Sequence, residues 1–335
     1  MSGTDNEFAA SLSTAVRHHI EDATGIDGLQ RLSGGASQET WAFDATTSKG
    51  TPVPLILRRA PGGTRAEKTT AVALETEAVL IELAEEAGIP VPKVRHVLTP
   101  EDGVGQGFIM NRLTGETIAR KILRDEEYAE ARPKLARQCG EILARLHRID
   151  KERLPALRTA DAKEEIRQYH AALREHGHPH PVFELAFRWL EDNLPAGDTG
   201  LTLVHGDFRN GNLMIGADGV RGVLDWELAH VGDPMEDLGW ICVNSWRFGN
   251  IDQPVGGFGV REDMFAGYEA VSGQPVDPER VKFWEVLGTL KWGIMCTGMV
   301  AAFKSGLDPS VERATIGRRS SETEIDLLRL LAPRI

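Results

Sequence analysis

The stretch from Leu203 to Glu227 constrains this chain more than any other. It reads LVHGDFRNGNLMIGADGVRGVLDWE. A short apolar run, Leu201 to Val204, predicts a strand that delivers His205-Gly206-Asp207. A polar loop follows and ends at Asn212. A second run, Leu213 to Ile215, leads into a turn at Asp218-Gly219, and a third, Val220 to Leu224, delivers Asp225. Two carboxylates and a carboxamide thus stand at the ends of short strands joined by tight turns. Such a hairpin can bring them to one point, and the simplest thing for them to meet there is a hard divalent cation.

The elements around this stretch change character partway along the chain. Phe8 to Ala23 carries Leu12, Val16 and Ile20 on one face and predicts an amphipathic helix. Leu29–Leu32, Thr40–Asp44 and Val53–Arg59 then read as three antiparallel strands, the first two joined by SGGASQE. Ala66 to Ala87 reads as a helix with Ala73, Glu77, Leu80 and Ala84 on one stripe, closed by Gly88 and Pro90. Lys93–Leu98 and Gly107–Leu113 read as two more strands. Beyond Leu113 helices dominate: Glu127–Ile149, Ala162–Glu175, Val182–Asn193, Met235–Trp246, Arg261–Ser272, Pro278–Phe303 and Val311–Leu331. The expected organisation is α+β, with an N-terminal antiparallel sheet and helix over residues 1–112. A mostly helical part with a small β-hairpin is expected over 113–335.

Composition excludes several classes. With 335 residues, 41% hydrophobic and 26% charged, the chain can bury one large or two moderate cores. A net charge of −12 argues against a nucleic-acid partner, which calls for a basic stripe. Cys139, Cys242 and Cys296 are widely spaced and form neither a disulfide framework nor a zinc motif. No apolar run reads as a signal peptide or as a membrane span, so a cytoplasmic location without a membrane partner is the expectation.

The spacing H-x-D-x-x-x-x-N followed by Asp225 suits phosphoryl transfer. That reaction needs one carboxylate to orient an attacking hydroxyl and accept its proton, and further oxygen ligands to hold Mg2+ against nucleotide phosphates. Asp207 suits the first task, and Asn212 and Asp225 the second. Arg209, two residues on, offers a cation for developing charge. His205 is expected to order the loop, and Asp237 to bond its backbone from the start of the following helix. Glu77 lies on an apolar stripe where an unpaired carboxylate is costly, and Arg58 at the end of the third strand is a candidate partner. Glu75 fits a solvated position. Ser33, Gly34, Gly35, Ala36 and Ser37 offer backbone N–H groups and hydroxyls to phosphate oxygens, although a Gly-Gly hairpin turn has the same look. Trp240, Trp246, Trp284 and Trp292 read as core residues. His176, His178 and His180 read as a surface loop near the substrate cleft rather than a metal site.

The motif HGDFRNGNLMI, followed by GVLDWELAHVGDPMEDLGW, closely resembles the aminoglycoside phosphotransferase family, whose fold is similar to that of protein kinases. The resemblance extends from SGGASQETW to the C-terminal helices. It implies a bilobal kinase-like fold and ATP-dependent transfer of the γ-phosphoryl group to a small-molecule hydroxyl, with GTP not excluded. Asp207 becomes the catalytic base, Asn212 and Asp225 the Mg2+ ligands, and Ser33 to Ser37 the loop over the nucleotide. Arg58 takes the place of the protein-kinase lysine, paired with Glu77, and Met110, Asn111 and Arg112 form the hinge region for the base. Asn111 departs from the acidic residue that many relatives carry there.

LSGGASQETW, LRRAPGG and GIPVPKV look more like the branch attached to acyl-CoA dehydrogenases, some members of which phosphorylate 4-hydroxyacyl-CoA. Two acceptor classes therefore stand side by side: an aminoglycoside or other polycationic alcohol, and a hydroxyacyl-CoA or similar metabolite. A nucleotide-binding pseudokinase is the rival from another class. Intact Asp207, Asn212 and Asp225 argue against it. Oligomeric state is not encoded in any of these features.

Overall fold

The strand-rich first third folds as one antiparallel sheet because its alternating apolar residues need cover on both faces. The computed structural model describes residues 3–32, 38–63, 71–175, 177–197 and 200–332. Helix α1 (Gly3–His19) precedes strands β1 (Ala23–Leu32), β2 (Glu39–Thr47) and β3 (Val53–Arg59). Helix α2 (Leu74–Glu86) and strands β4 (Val94–Val97) and β5 (Gly107–Asn111) complete this lobe. The strand order is β1-β2-β3-β5-β4, antiparallel throughout.

Period-2 alternation divides the sheet's cover. Leu55 and Leu57 of β3, Phe43 of β2 and Ile109 of β5 join Leu12, Ala15 and Val16 of α1 in one cluster. Ile56, Phe108 and Met110 belong instead to the cluster of Leu74, Ala78 and Ile81 from α2, which continues into the helical lobe. His19 at the end of α1 and His96 on β4 stack at 3.5 Å and share Asp102, which fixes α1 over the far face.

Beyond β5 the chain forms α3 (Ala119–Arg124), α4 (Arg132–Leu146), α5 (Ala162–Glu175) and α6 (Pro181–Asp192). Strands β6 (Thr202–Val204), β7 (Leu213–Gly216), β8 (Gly219–Val223) and β9 (His230–Gly232) follow. Helices α7 (Met235–Cys242), α8 (Arg261–Ser272), α9 (Pro278–Ser305), α10 (Val311–Gly317) and α11 (Ser320–Leu331) close the described chain. Helix α4 packs on α8. Helix α9 packs against α5, α6, α7, α10 and α11. Among the described residues α9 is long and apolar enough, by length and composition alone, to cross a membrane. This corrects the expectation that no run approaches that length. Half of its apolar window is buried against the other helices.

The expected α+β, kinase-like architecture is present, and several boundaries differ from expectation. The first helix stops at His19, because Asp22 turns left-handed at φ 59° and the chain enters β1 at Ala23. Strand β1 is longer than expected because its mostly exposed residues carry no alternation to read. Helix α2 starts at Leu74, with Ala73 as its cap, rather than at Ala66, while residues 64–70 lie outside the described residues. The single helix expected over Val311–Leu331 is two. Gly317 ends the first against α9, where a Cβ would come within 2.5 Å of Val300. The hairpin is also subdivided: β7 pairs with β8, whereas β6 pairs with β9.

Candidate active site

The 205–212 loop is held from behind by buried polar groups. Asp237, fully buried near the start of α7, accepts the N–H groups of His205 (2.8 Å) and Gly206 (3.0 Å), the role expected from the sequence. His147 Nε2 lies 3.2 Å from the same carboxylate, and its Nδ1 lies 3.0 Å from the Tyr268 hydroxyl. Burial alone would raise the Asp237 carboxyl, but His147 and the His205 N–H hold it below the ordinary Asp value. Gly206 has φ 75°, and a Cβ there would sit 2.4 Å from the Leu228 carbonyl oxygen, so only glycine fits.

His205 is also fully buried, and burial lowers its pKa despite the nearby carboxylates. Its Nδ1 accepts the Asp207 N–H at 3.2 Å, which places the ring proton on Nε2, 3.1 Å from the Leu224 carbonyl oxygen. The neutral ring thus ties the loop to the end of β8.

Three donors converge on Asp207. Trp240 Nε1 donates to Oδ1 at 2.8 Å and Arg209 Nε to the same oxygen at 3.0 Å. Asn212 Nδ2 donates to Oδ2 at 2.7 Å. A carboxylate has about four lone-pair sites, so one remains, on Oδ2. The Arg209 guanidinium lies 4.7 Å over the Trp246 ring, which fixes that side chain by cation–π attraction. Behind Trp240 stands Lys291 of α9, buried, 4.6 Å from the indole ring and 3.3 Å from the Gly206 carbonyl oxygen. Burial disfavours its charge, yet Tyr169, Glu236, Glu165 and Asp207 together raise its pKa.

Asp225 is reached through the β7–β8 ladder. The Leu224 N–H donates to the Asn212 carbonyl at 2.9 Å, which sets Asp225 beside Asn212. Asp225 has φ 69° and ψ 63°, a left-handed conformation that costs a residue with a Cβ about 1–2 kcal/mol. Arg58 Nη2 donates to its Oδ1 at 2.9 Å. The same Nη2 lies 3.3 Å from Glu77 Oε1, as an ion pair whose angle is too poor for a hydrogen bond. Gln38 accepts from Arg58 Nε at 2.9 Å and donates to Glu77 (3.4 Å) and Glu227 (3.3 Å). Glu77 is fully buried; desolvation raises its pKa and Arg58 opposes that rise. Desolvation likewise works against the Arg58 charge, but Glu77, Asp225 and Glu227 outweigh it.

Of these groups, Gln38, Arg58, Asn212, Asp225 and Glu227 open onto a cleft of about 760 Å³ between the sheet and the 211–227 segment, while Asp207, Arg209 and Glu77 are not on its wall. Arg58, Asn212 and Asp225 line it, as do Met110, Asn111 and Arg112. The Asn111 N–H is committed to the Lys93 carbonyl (2.9 Å) and the Arg112 N–H to Pro54 (3.0 Å). Arg313 of α10 reaches the same cleft from the helical lobe. Ser33, Gly34, Gly35, Ala36 and Ser37 lie outside the described residues.

Sequence reasoning missed Trp240 and Gln38 as site groups. A large apolar residue on a buried helix reads as core, and a lone glutamine before a strand carries no signal. His176 also lies outside the described residues. His180 stacks on Phe183 and bonds Glu324 of α11, so it joins two helices. All three cysteines are buried and free.

A five-stranded antiparallel sheet facing a helical lobe, with an acidic and amide cluster at the cleft between them, defines a kinase-like protein. Residues 28–282 match the phosphotransferase enzyme family, and the chain belongs to that family of enzymes. The chain is 31% identical over 288 residues to IBR3 of Arabidopsis thaliana, assigned as an acyl-CoA dehydrogenase. That match covers 77% of this chain but 34% of the relative, so the chain spans about a third of that protein's length. In fold it is similar to a Ralstonia eutropha protein assigned as an aminoglycoside phosphotransferase, with TM-score 0.77, 20% identity and coverage of 96% and 97% of the two chains. It is also similar to the aminoglycoside phosphotransferase APH(4)-Ia in complex with ADP and hygromycin B, with TM-score 0.61, 15% identity and coverage of 97% and 100%.

Proposed function

We propose that this phosphotransferase moves the γ-phosphoryl group of ATP, with Mg2+, to the hydroxyl of a small metabolite, and that Asp207 is the base. The observation that carries this reading is the Asp207 carboxylate itself. Three donors fix its orientation and occupy all but one of its acceptor positions. The free position on Oδ2 accepts the proton of the acceptor hydroxyl as that oxygen attacks phosphorus. The bond between the γ-phosphorus and its bridging oxygen breaks, and ADP departs. Arg209 stands beside the reacting oxygen as a cation, and the protein's share of the rate comes from positioning and electrostatics.

Asn212 and Asp225 are the residues that would hold Mg2+. The donor set fits, since the Asn212 amide nitrogen is committed to Asp207 and its carboxamide oxygen is left for a ligand. Asp225 gives one oxygen to Arg58 and keeps the other. When bound, the metal supplies positive charge against the phosphates. Arg58 adds a cation to the cleft wall, held there by Glu77 and Gln38. With the Asn111 and Arg112 N–H groups engaged in the sheet, Leu113 is the next residue on the cleft wall to offer an N–H to the base. Binding of ADP by a neighbour of this fold supports a nucleotide in this cleft.

A hydroxyacyl-CoA or related metabolite is the acceptor class we favour over an aminoglycoside, on the strength of the acyl-CoA dehydrogenase relative. The test is ATP turnover by the purified protein with Mg2+ and a panel holding hydroxyacyl-CoAs and aminoglycosides side by side. Transfer that is lost in Asp207→Ala with ATP binding retained is the expected result. Unchanged transfer in that variant overturns the assignment, and ATP binding without transfer to any alcohol favours a pseudokinase.

A further inference from the structure

Close to Arg209 and Trp246 lies a second cavity, of about 640 Å³, whose wall carries four arginines: Arg120, Arg318, Arg319 and Arg329. In a chain of net charge −12 this is a local inversion of sign. Two of the four are neutralised nearby: Arg319 pairs with Glu322 at 3.0 Å, and Arg329 lies 3.6 Å from Asp326. Asp326 is further held by Asn244 Nδ2 at 2.9 Å. Among the described residues, no carboxylate lies within ion-pair distance of Arg120 on α3 or of Arg318 after α10. Glu322 and Asp326 lie on the same wall but are engaged by Arg319 and Arg329, so two guanidinium groups from separate elements face the cavity outside any ion pair, which is the arrangement that takes a phosphate or carboxylate as a fork.

The same wall connects to the reacting centre. Ser245 lines it and precedes Trp246, whose ring supports Arg209, and Arg209 contacts Asp207. Phe248, Ile251 and Ile325 also line the cavity, exposed to 38%, 52% and 53%. Large apolar side chains left open beside unpaired cations suit a ligand with an apolar stem and an anionic end. They do not suit a polycation.

We propose that this cavity binds the anionic portion of the acceptor, with Arg120 and Arg318 on its phosphate or carboxylate and Phe248, Ile251 and Ile325 along its apolar stem. The proposal rests on the kinase reading for what happens to the acceptor's hydroxyl, though not for its binding. One hydroxyacyl group is presented in three forms: as its coenzyme A thioester, as its pantetheine thioester, and as the free hydroxy acid. Kanamycin serves as the cationic control. Each is titrated calorimetrically into the full chain saturated with a non-hydrolysable ATP analogue and Mg2+, and kcat/KM is measured with ATP.

A phosphate-seeking site binds the coenzyme A thioester at least tenfold more tightly than the pantetheine thioester, and a carboxylate-seeking site binds the free acid so. In the exposed-surface variant Arg120→Gln/Arg318→Gln, that preference falls at least tenfold while the KM for ATP is unchanged. Equal binding of charged and uncharged forms, a preference untouched by the double substitution, tighter binding of kanamycin, or no binding of either anion each overturns the proposal. Anion binding that the variant abolishes, with no phosphoryl transfer in the wild type, leaves the cavity assignment standing and removes the kinase reading instead.

Discussion

Asp207 and Asp225 lie on the same short stretch and are held in opposite ways. Asp207 sits within the helical lobe, almost fully buried, with neutral and cationic donors from α7 and its own loop on three of its acceptor positions. Asp225 has an exposed side, a left-handed backbone, and a cation supplied from the sheet of the other lobe. The first arrangement is preorganised by one lobe alone. The second depends on how the two lobes meet. On the kinase reading proposed above, this would fix the base rigidly while the second carboxylate answers to the opposite lobe, which keeps proton acceptance independent of how the lobes meet.

Asp207→Ala is expected to have the largest effect on rate. It should lower kcat about 10³-fold, in the range for removal of a positioned general base, with nucleotide affinity nearly unchanged. The release of ADP with a responsive alcohol measures this, and a drop of less than tenfold would break the contrast drawn above.

Next comes Arg58→Ala, which leaves Glu77 buried and unpaired. Loss of one partner of a buried pair costs about 3–5 kcal/mol, so the urea midpoint should fall sharply. Glu77→Gln added to the same chain should recover most of that loss. A mild single variant would mean that Gln38 and the Trp226 N–H together satisfy Glu77.

Trp240→Phe keeps one aromatic ring but removes the pyrrole part of a buried indole, and with it one donor to Asp207. It should reduce kcat about tenfold at a stability cost of about 2 kcal/mol, from the lost hydrogen bond and the small cavity together. Equal kcat would show that Arg209 and Asn212 suffice to orient the carboxylate.

The smallest expected effect is on the pH dependence of stability. Burial depresses His205 below its ordinary value of 6.5, so the unfolded chain takes up a proton first as pH falls. Stability is present in full above pH 6.5 and declines as pH drops toward the lowered folded value. His230 has the opposite sign. Burial works against its charge, but Glu236 raises its pKa above 6.5, so its contribution is full below that pH and is lost as pH rises. In His205→Asn the His230 contribution is unchanged, and the loss of stability below pH 6.5 should shrink. Parallel curves for the two proteins would show that His205 does not report on the loop.

Part of this site was readable from residues because it is local. Asp207, Asn212 and Asp225 lie within one stretch, and short strands leave them few places to go. Glu77 was readable because a carboxylate on an apolar stripe must find a partner, and Arg58 is that partner in the structure. What was not readable depends on long-range packing. Strand β9 is three residues long and exists because it pairs with β6. Trp240 is indistinguishable from a core residue until α7 turns its indole N–H toward Asp207. The six-residue α3 is too short for a periodic pattern, and the break between α10 and α11 follows from contact with α9.

Helix α10 borders both cavities at once: Arg313 lines the cleft beside Asn212 and Asp225, while Thr315 and the following Arg318 line the arginine-rich cavity. In linkage terms, the two sites share a mechanical element only seven residues long. If a ligand bound at one site displaces α10, affinity at the other changes by a factor that thermodynamics makes the same in both directions. On the kinase reading proposed above, the order of substrate addition would then depend on this helix as well as on either pocket.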